Sequence, residues 1–418
     1  MTATTQFTDV DEIDVTDIRL WTSDPHPALH YLREHDPVHW HKADPKNPFA
    51  PHPFWVLTRH EDIVHVSRHP ELFSSANGIS ENAIELPMGE FDTFAMLGAD
   101  DPYHAWMRGL VSAAFTAKLV RESEPYIRAT TVAVLDEVAG RRDPFNFVHE
   151  VSAKTPIRVI GDILGVPRSD QHLLTEWTDA VSDLDDLSID FEKGTGHSAK
   201  ATAAVAEMFA YLERMQQQRA ESPTEDLVSK LMGAEIEGER LNWQQQRESF
   251  FILATAGNET TRNTTTAGVR ALAEHPDQRR ELIENPKLIR TAVEEMLRWG
   301  TVVTHFRRTA TQDTVIGGKR IAKGDWVLIY YSAANRDPSV FPDPDRFDIH
   351  RRPNEHLAFG GGGPHFCLGA PLARLQLRVM FEELLQRFPD YRVTGEAVFN
   401  ESNFFHGIKY LPVQLYAE

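Results

Sequence analysis

Helical patterns of apolar and polar residues dominate this chain, and its strand-like apolar runs are short. The helical patterns run from about His104 to Ala139, Ala153 to Leu164, Ala199 to Arg219 and Leu241 to His275. Phe54 to Leu57 reads as a strand, with a helix starting in the polar residues that follow. Trp326 to Tyr331 reads as a buried strand. Residues 179–196 are acidic and interrupted, and predict a connection between helices. Residues 78–98 mix Gly, Pro and acidic residues with scattered large apolar ones, which suits a mobile loop over an apolar cavity. The fold class expected is mainly α with small peripheral β-sheets. No Ser/Gly tract, repeat or long charge block divides the chain, so 15–418 is expected to be one domain behind a polar, disordered tail, 1–14.

The last of these helices has unusual content. Asn242 is a plausible N-cap with Gln245 three residues on, and His275-Pro276 ends the pattern. Its middle reads Ala256-Gly257-Asn258-Glu259-Thr260-Thr261. A mid-helix glycine costs about 1 kcal/mol relative to alanine. Threonines at 260, 261, 264, 265 and 266 are poor helix formers whose hydroxyls compete for backbone carbonyls. A helix that tolerates both is expected to have a local task.

Charge narrows the function. Lys and Arg total 43 against 62 Asp and Glu, a formal charge of −19, which argues against a nucleic-acid binder. No run approaches the ~20 apolar residues of a membrane span, and the polar, acidic N-terminus is unlike a signal peptide. A cytoplasmic protein without a membrane anchor, and a monomer, is expected. The single cysteine, Cys367, excludes an internal disulfide. It follows Phe359, four consecutive glycines, Pro364, His365 and Phe366, and precedes Gly369 and a helix start marked by Pro371. Helix N-terminal N–H groups favour a thiolate there. The glycines would let the backbone approach something flat, so a thiolate ligand to haem iron is suggested.

Phe359, the glycine run, His365, Cys367 and Gly369 resemble the haem-ligand loop of cytochrome P-450, the haem-thiolate monooxygenases. The commoner loop in that family is one residue shorter; the longer form is similar to that of bacterial members acting on sterols and methyl-branched lipids. The resemblance extends from near Trp55 to Ile408 and implies a triangular helical prism. Ala256 to Thr260 resembles the family's oxygen-activating motif. It implies that Gly257 opens the helix groove, that Thr260 hydrogen-bonds dioxygen and that Glu259 passes protons from water. Glu295 and Arg298 match a structural Glu-x-x-Arg motif whose downstream partner would be Arg346.

The same resemblance implies haem b, with Cys367 on iron and Phe359 packed beneath. His104 and Arg108, Arg308 and His365 would anchor the propionates, and Arg307 is a possible replacement for Arg308. The implied pocket takes Leu86, Met88, Phe91, Phe94, Met96, Phe251, Ile252, Ala256, Val302, Val303, Phe404 and Phe405, an apolar set suited to a sterol, terpenoid or branched lipid. Electrons would come from a ferredoxin and its NAD(P)H-dependent reductase, met by a basic patch of Arg374, Arg378, Arg351, Arg352 and Lys118. Two rivals stay open: a biosynthetic member doing epoxidation or oxidative coupling, and a non-catalytic haem-binding sensor or carrier.

Overall fold

A computed structural model describes residues 7–44, 47, 52–80, 96–112, 115–182, 197–236 and 238–416. Its axis is the helix Trp243–Glu274, 32 residues and about 48 Å long. Asn242 and Gln245 close its start reciprocally: each side chain accepts the other's backbone N–H, at 3.0 and 2.9 Å. Helices Lys154–Leu164, Gln171–Ser182 and His197–Glu221 lie against its first half, and Ile289–Gly300 and Ala370–Arg387 also pack on it.

The expected helical stretch from His104 to Ala139 is three helices, Tyr103–Ser112, Ala117–Glu122 and Glu124–Val138. Thr116 caps the second by accepting from Leu119 N–H, and Pro125 stands in the first turn of the third. Gln171–Ser182 extends past Asp179, so the predicted connection begins later than expected; residues 183–196 lie outside the described set. The expected tail is also shorter: Val10–Glu12 form a 3-10 turn capped by Asp9, and Ile13 is buried.

Strands are short and gathered into small sheets among the described residues. The largest sheet orders Val38–His41, Phe54–Leu57, Trp326–Tyr330, His305–Ala310 and Phe73–Ser74. Phe54–Leu57 and Trp326–Tyr330 run parallel and the other neighbours are antiparallel. A hairpin of Val398–Phe399 and Ile408–Tyr410 is tied to the long helix: Asn263 Oδ1 accepts from Ile408 N–H at 3.1 Å, and a Cβ on Gly407 would lie 2.7 Å from the Asn263 amide. The helix and the sheet edge therefore converge on the region where the chemistry is expected.

Candidate active site

The helix Ala370–Arg387 starts just after Cys367, with Gly369 at its N-cap and proline in its first turn. Cys367 N–H donates to the Phe359 carbonyl at 3.0 Å, closing the glycine loop. The cysteine is accessible although protein packs densely around it, so it lies on the wall of a recess. Burial pushes its thiol up; backbone N–H groups of Gly369 and Ala370 and the charges of Arg108 and Arg374 oppose that. A metal cation would reverse the balance and secure the thiolate.

The glycines do something other than expected. A Cβ on Gly361 would meet Ser67 Oγ at 2.5 Å, one on Gly363 the Ser67 carbonyl at 2.1 Å, and one on Gly362 would lie 3.1 Å from Arg68 Nε. These three let the loop seat on the helix His60–Arg68. Gly360, with φ +96°, is the one with open surroundings, 3.8 Å from the Tyr331 hydroxyl.

Four cationic or ionisable groups from three parts of the chain gather at this loop: His104 and Arg108 on the helix Tyr103–Ser112, Arg308 on the strand His305–Ala310, and His365 in the loop itself. His104 and His365 rings lie 4.1 Å apart, centroid to centroid. Arg108, one turn beyond His104, donates to the Phe366 carbonyl at 2.6 Å. Ser75 Oγ lies 3.2 Å from His365 Nε2, and Ser75 N–H donates to Asp100 at 2.8 Å. Burial, then the charges of Arg308, His104 and Arg108, push the His365 imidazole down to about 3. Arg308 is buried and, among the described residues, donates only to the Arg307 carbonyl, at 2.7 Å, and pairs with no carboxylate. Its burial lowers it below the usual arginine range. Desolvating a guanidinium with no contacting carboxylate, only the more distant charge of Asp100, is costly, so the cluster suits an anionic ligand. Haem propionates fit that demand, and Arg108 ties the cluster to the Cys367 loop through the Phe366 carbonyl. Arg307, by contrast, binds the Gly78 carbonyl at 3.2 Å and lies 3.9 Å over the Trp326 ring, so Arg308 is the better placed of the two.

Behind the recess is a knot of paired charge. Arg298 grips Glu295 through both oxygens, at 2.8 and 2.7 Å, and both side chains are fully buried. Arg298 also donates to the carbonyls of Asn335, Pro344 and Arg346. The expected third member, Arg346, is corrected here. Its side chain is exposed, and only its carbonyl enters the knot. The second guanidinium is that of Arg351, 3.2 Å from Glu295 and bound to the carbonyls of Pro342, Asp343 and Arg346. Sequence spacing could not choose between arginines five apart, because only burial separates them.

On the long helix, Thr255, Thr260, Thr264, Thr265 and Thr266 all donate to the carbonyl four residues back. Thr260 Oγ1 reaches the Ala256 carbonyl at 2.9 Å, and Ala256 is exposed on the same face. Gly257 does not open the groove through a missing side chain on that face. Its Cβ position faces Ile160 Cδ1 at 3.2 Å, so the glycine admits the helix Lys154–Leu164. Glu259 is buried; it accepts from Asn263 at 2.7 Å and lies 2.5 Å from Arg262. The second contact is close but poorly aligned as a hydrogen bond, so we treat it as electrostatic. Arg262 in turn donates to Asp179 at 2.7 Å. The i, i+3 spacing of Glu259 and Arg262 was the signal that sequence reasoning passed over.

Of the expected pocket residues, Leu86, Met88, Phe91 and Phe94 lie outside the described residues. Phe251 is corrected: it is fully buried, edge-on to Phe209 at 6.5 Å, because it points off the Ala256–Thr260 face. Met96, Ile252 and Val302 are nearly buried. Val303 bridges Phe405, and the Phe404 ring meets Phe306 and Phe405 at 5.4 and 4.8 Å. A separate cleft of about 1110 Å³ includes Lys154, Arg158, Arg262 and Phe405 in its walls. None of its walls comes from the Cys367 loop, so the chemistry is not assigned to it. The expected basic patch is largely neutralised. Arg374 pairs with Glu294, Arg378 with Glu124 and Glu382, Arg351 is in the knot, and Arg352 donates to Thr291. Lys118, next to Glu122 at 3.8 Å, is well exposed.

A mainly helical fold with edge sheets, an accessible cysteine beside a helix start and a neighbouring cluster of cationic side chains suit a haem held by a thiolate. Comparison with known proteins agrees: residues 49–390 match the family model for cytochrome P450. The chain is 38% identical over 416 residues to a methyl-branched lipid omega-hydroxylase of Mycobacterium tuberculosis, covering 96% of this chain and 95% of that one. It is 36% identical over 392 residues to a steroid C26-monooxygenase of the same species, covering 91% and 87%. A Mycobacterium marinum cytochrome P450 solved in complex with pseudoionone superposes with a TM-score of 0.89, at 36% identity, over 99% of this chain and 100% of that one. The chain belongs to the cytochrome P450 family and is a monooxygenase. No helix among the described residues is long and apolar enough to cross a membrane.

Proposed function

We propose that this protein hydroxylates a C–H bond of a bulky hydrophobic substrate, a sterol, terpenoid or methyl-branched lipid, using haem b held by Cys367. The observation that carries the cofactor assignment is the buried Arg308 without a carboxylate, beside His365, His104 and Arg108 and around the recess of Cys367. The substrate class rests on the relatives' names and on the apolar side chains at Ile252, Val303, Phe404 and Phe405. Overall, one C–H bond, dioxygen, two electrons and two protons become a C–OH group and water.

Haem, when bound, supplies the activation of dioxygen. The chain's own residues supply the rest. Cys367 would hold the iron, and Arg308, Arg108, His104 and His365 would hold the propionates. Thr260, once its hydroxyl turns from the Ala256 carbonyl it donates to at 2.9 Å, offers the Oγ1 proton beside exposed Ala256. Glu259 refills that proton from water after letting go of Asn263 and Arg262, since residues 259 and 260 are about 100° apart around the helix. Electrons arrive from a ferredoxin and its reductase, and the protein works as a cytoplasmic monomer.

The test is a titration of ferric protein with sterols, terpenoids and methyl-branched lipids, followed by product analysis with a ferredoxin–reductase pair. Spin-state shifts and a hydroxylated product from one of these classes are expected; no shift with any of them overturns the substrate assignment. Thr260→Ala should keep haem but divert electrons to peroxide, and unchanged coupling would contradict the proton assignment.

A further inference from the structure

Three side chains from three elements meet just below the Cys367 loop, and the fold-stabilising knot does not use them. Glu294 sits on the helix Ile289–Gly300, next to Glu295 but pointing elsewhere. It accepts from Arg374 Nε at 2.8 Å and Nη2 at 2.9 Å, and lies 3.0 Å from His356 Nε2. His356 is buried, and its Nδ1 accepts the Ala358 N–H at 3.3 Å. That bond leaves the ring proton on Nε2, aimed at Glu294. Burial would raise the Glu294 carboxyl, but His356 and Arg374 outweigh it and hold it at about 2.

The fourth participant is Phe359. The Arg374 guanidinium lies 4.5 Å over its ring, and the His356 ring lies 5.9 Å from it. Phe359 also supplies the carbonyl that receives Cys367 N–H. Arg374 is therefore tied to the cysteine by packing through Phe359 and by its charge, which acts on the thiol.

We propose that Glu294, His356 and Arg374 form a positioning clamp: it fixes Phe359 against the cysteine loop and sets how much of the Arg374 charge reaches Cys367. Glu294 neutralises Arg374 while holding it in place. Positive charge near a thiolate-ligated iron favours the reduced state, so the clamp acts on the redox potential and the ligand chemistry together. This rests on the haem–thiolate reading of Cys367.

The experiment is a spectroelectrochemical titration of haem-loaded wild type, Glu294→Gln, Arg374→Gln and the double variant. Glu294→Gln leaves Arg374 uncompensated and should move the midpoint positive, by about tenfold in the ferric–ferrous ratio at fixed potential, or ~59 mV for one electron. Arg374→Gln should move it negative, and the double variant should return close to wild type. Arg374 is 38% exposed, so its variant is expected to fold even where Glu294→Gln does not. A merely structural ion pair would lower thermal stability in both single variants and leave the potentials unchanged, which would overturn the clamp. Single-variant shifts of the same sign would overturn it too. A wild-type carbon monoxide complex without a thiolate-type band would instead overturn the haem–thiolate reading.

Discussion

Two buried arginines ten residues apart live under opposite conditions. Arg298 has a bidentate carboxylate and three backbone carbonyls; Arg308 has one carbonyl and, among the described residues, no carboxylate. The first is complete in the polypeptide alone. The second is incomplete until an anion arrives. A buried charge that the chain satisfies is a structural part; one that it leaves unsatisfied marks a ligand site. The contrast is the reason the Arg308 cluster is proposed as the anion site.

The strongest way to break the comparison is at the knot. Glu295→Gln should leave Arg298 and Arg351 buried and uncompensated and cost about 3–5 kcal/mol, a large share of a typical domain's stability. Soluble, haem-loaded protein should fall sharply, and wild-type yield and unfolding temperature would contradict the knot's role. At the other pole, Arg308→Met should have split effects. It removes a desolvated charge, so haem-free protein should keep its stability or gain ~1 kcal/mol. Haem should dissociate ten- to a hundredfold faster, from ~1.5–3 kcal/mol of lost charge-assisted bonding. A parallel fall in haem-free stability would erase the distinction between the arginines.

Acid titration sharpens the paired side. Glu294 is held at about 2, below its ordinary 4.5, by His356 and Arg374. A lowered acid contributes stability that is complete above pH 4.5 and lost as pH falls toward 2. Glu294→Gln should flatten that limb of the stability–pH curve, and an unchanged limb would contradict the pairing. The smallest effect belongs to the corrected residue. Arg346→Ala should change stability by less than ~0.5 kcal/mol, since only its backbone carbonyl is used, whereas Arg351→Ala should cost several times more. Equal losses would restore Arg346 to the knot.

Local signals carried much of this. The capping box at Asn242 and Gln245, the strand at Phe54–Leu57 and the helix after Cys367 were legible because each depends on neighbours in sequence. What was not legible depended on distant contacts. Arg346 and Arg351 differ only in burial. Phe251 looked like a pocket residue until the long helix's rotation turned it onto Phe209. The close approach of Gly361, Gly362 and Gly363 to Ser67 and Arg68, some 300 residues upstream, has no local signal in the sequence. The Glu294–His356–Arg374 set spans three elements that only the fold brings together.

Everything proposed for the site depends on Cys367 being the thiolate ligand of haem iron. The carbon monoxide difference spectrum of the dithionite-reduced protein tests it most directly, with Cys367→Ser alongside. Wild type should show the strongly red-shifted Soret band of a thiolate-ligated haem, and the variant should lose it. Haem-replete wild type showing only the band of neutral-thiol or imidazole ligation, or a serine variant that keeps the red-shifted band, would contradict it.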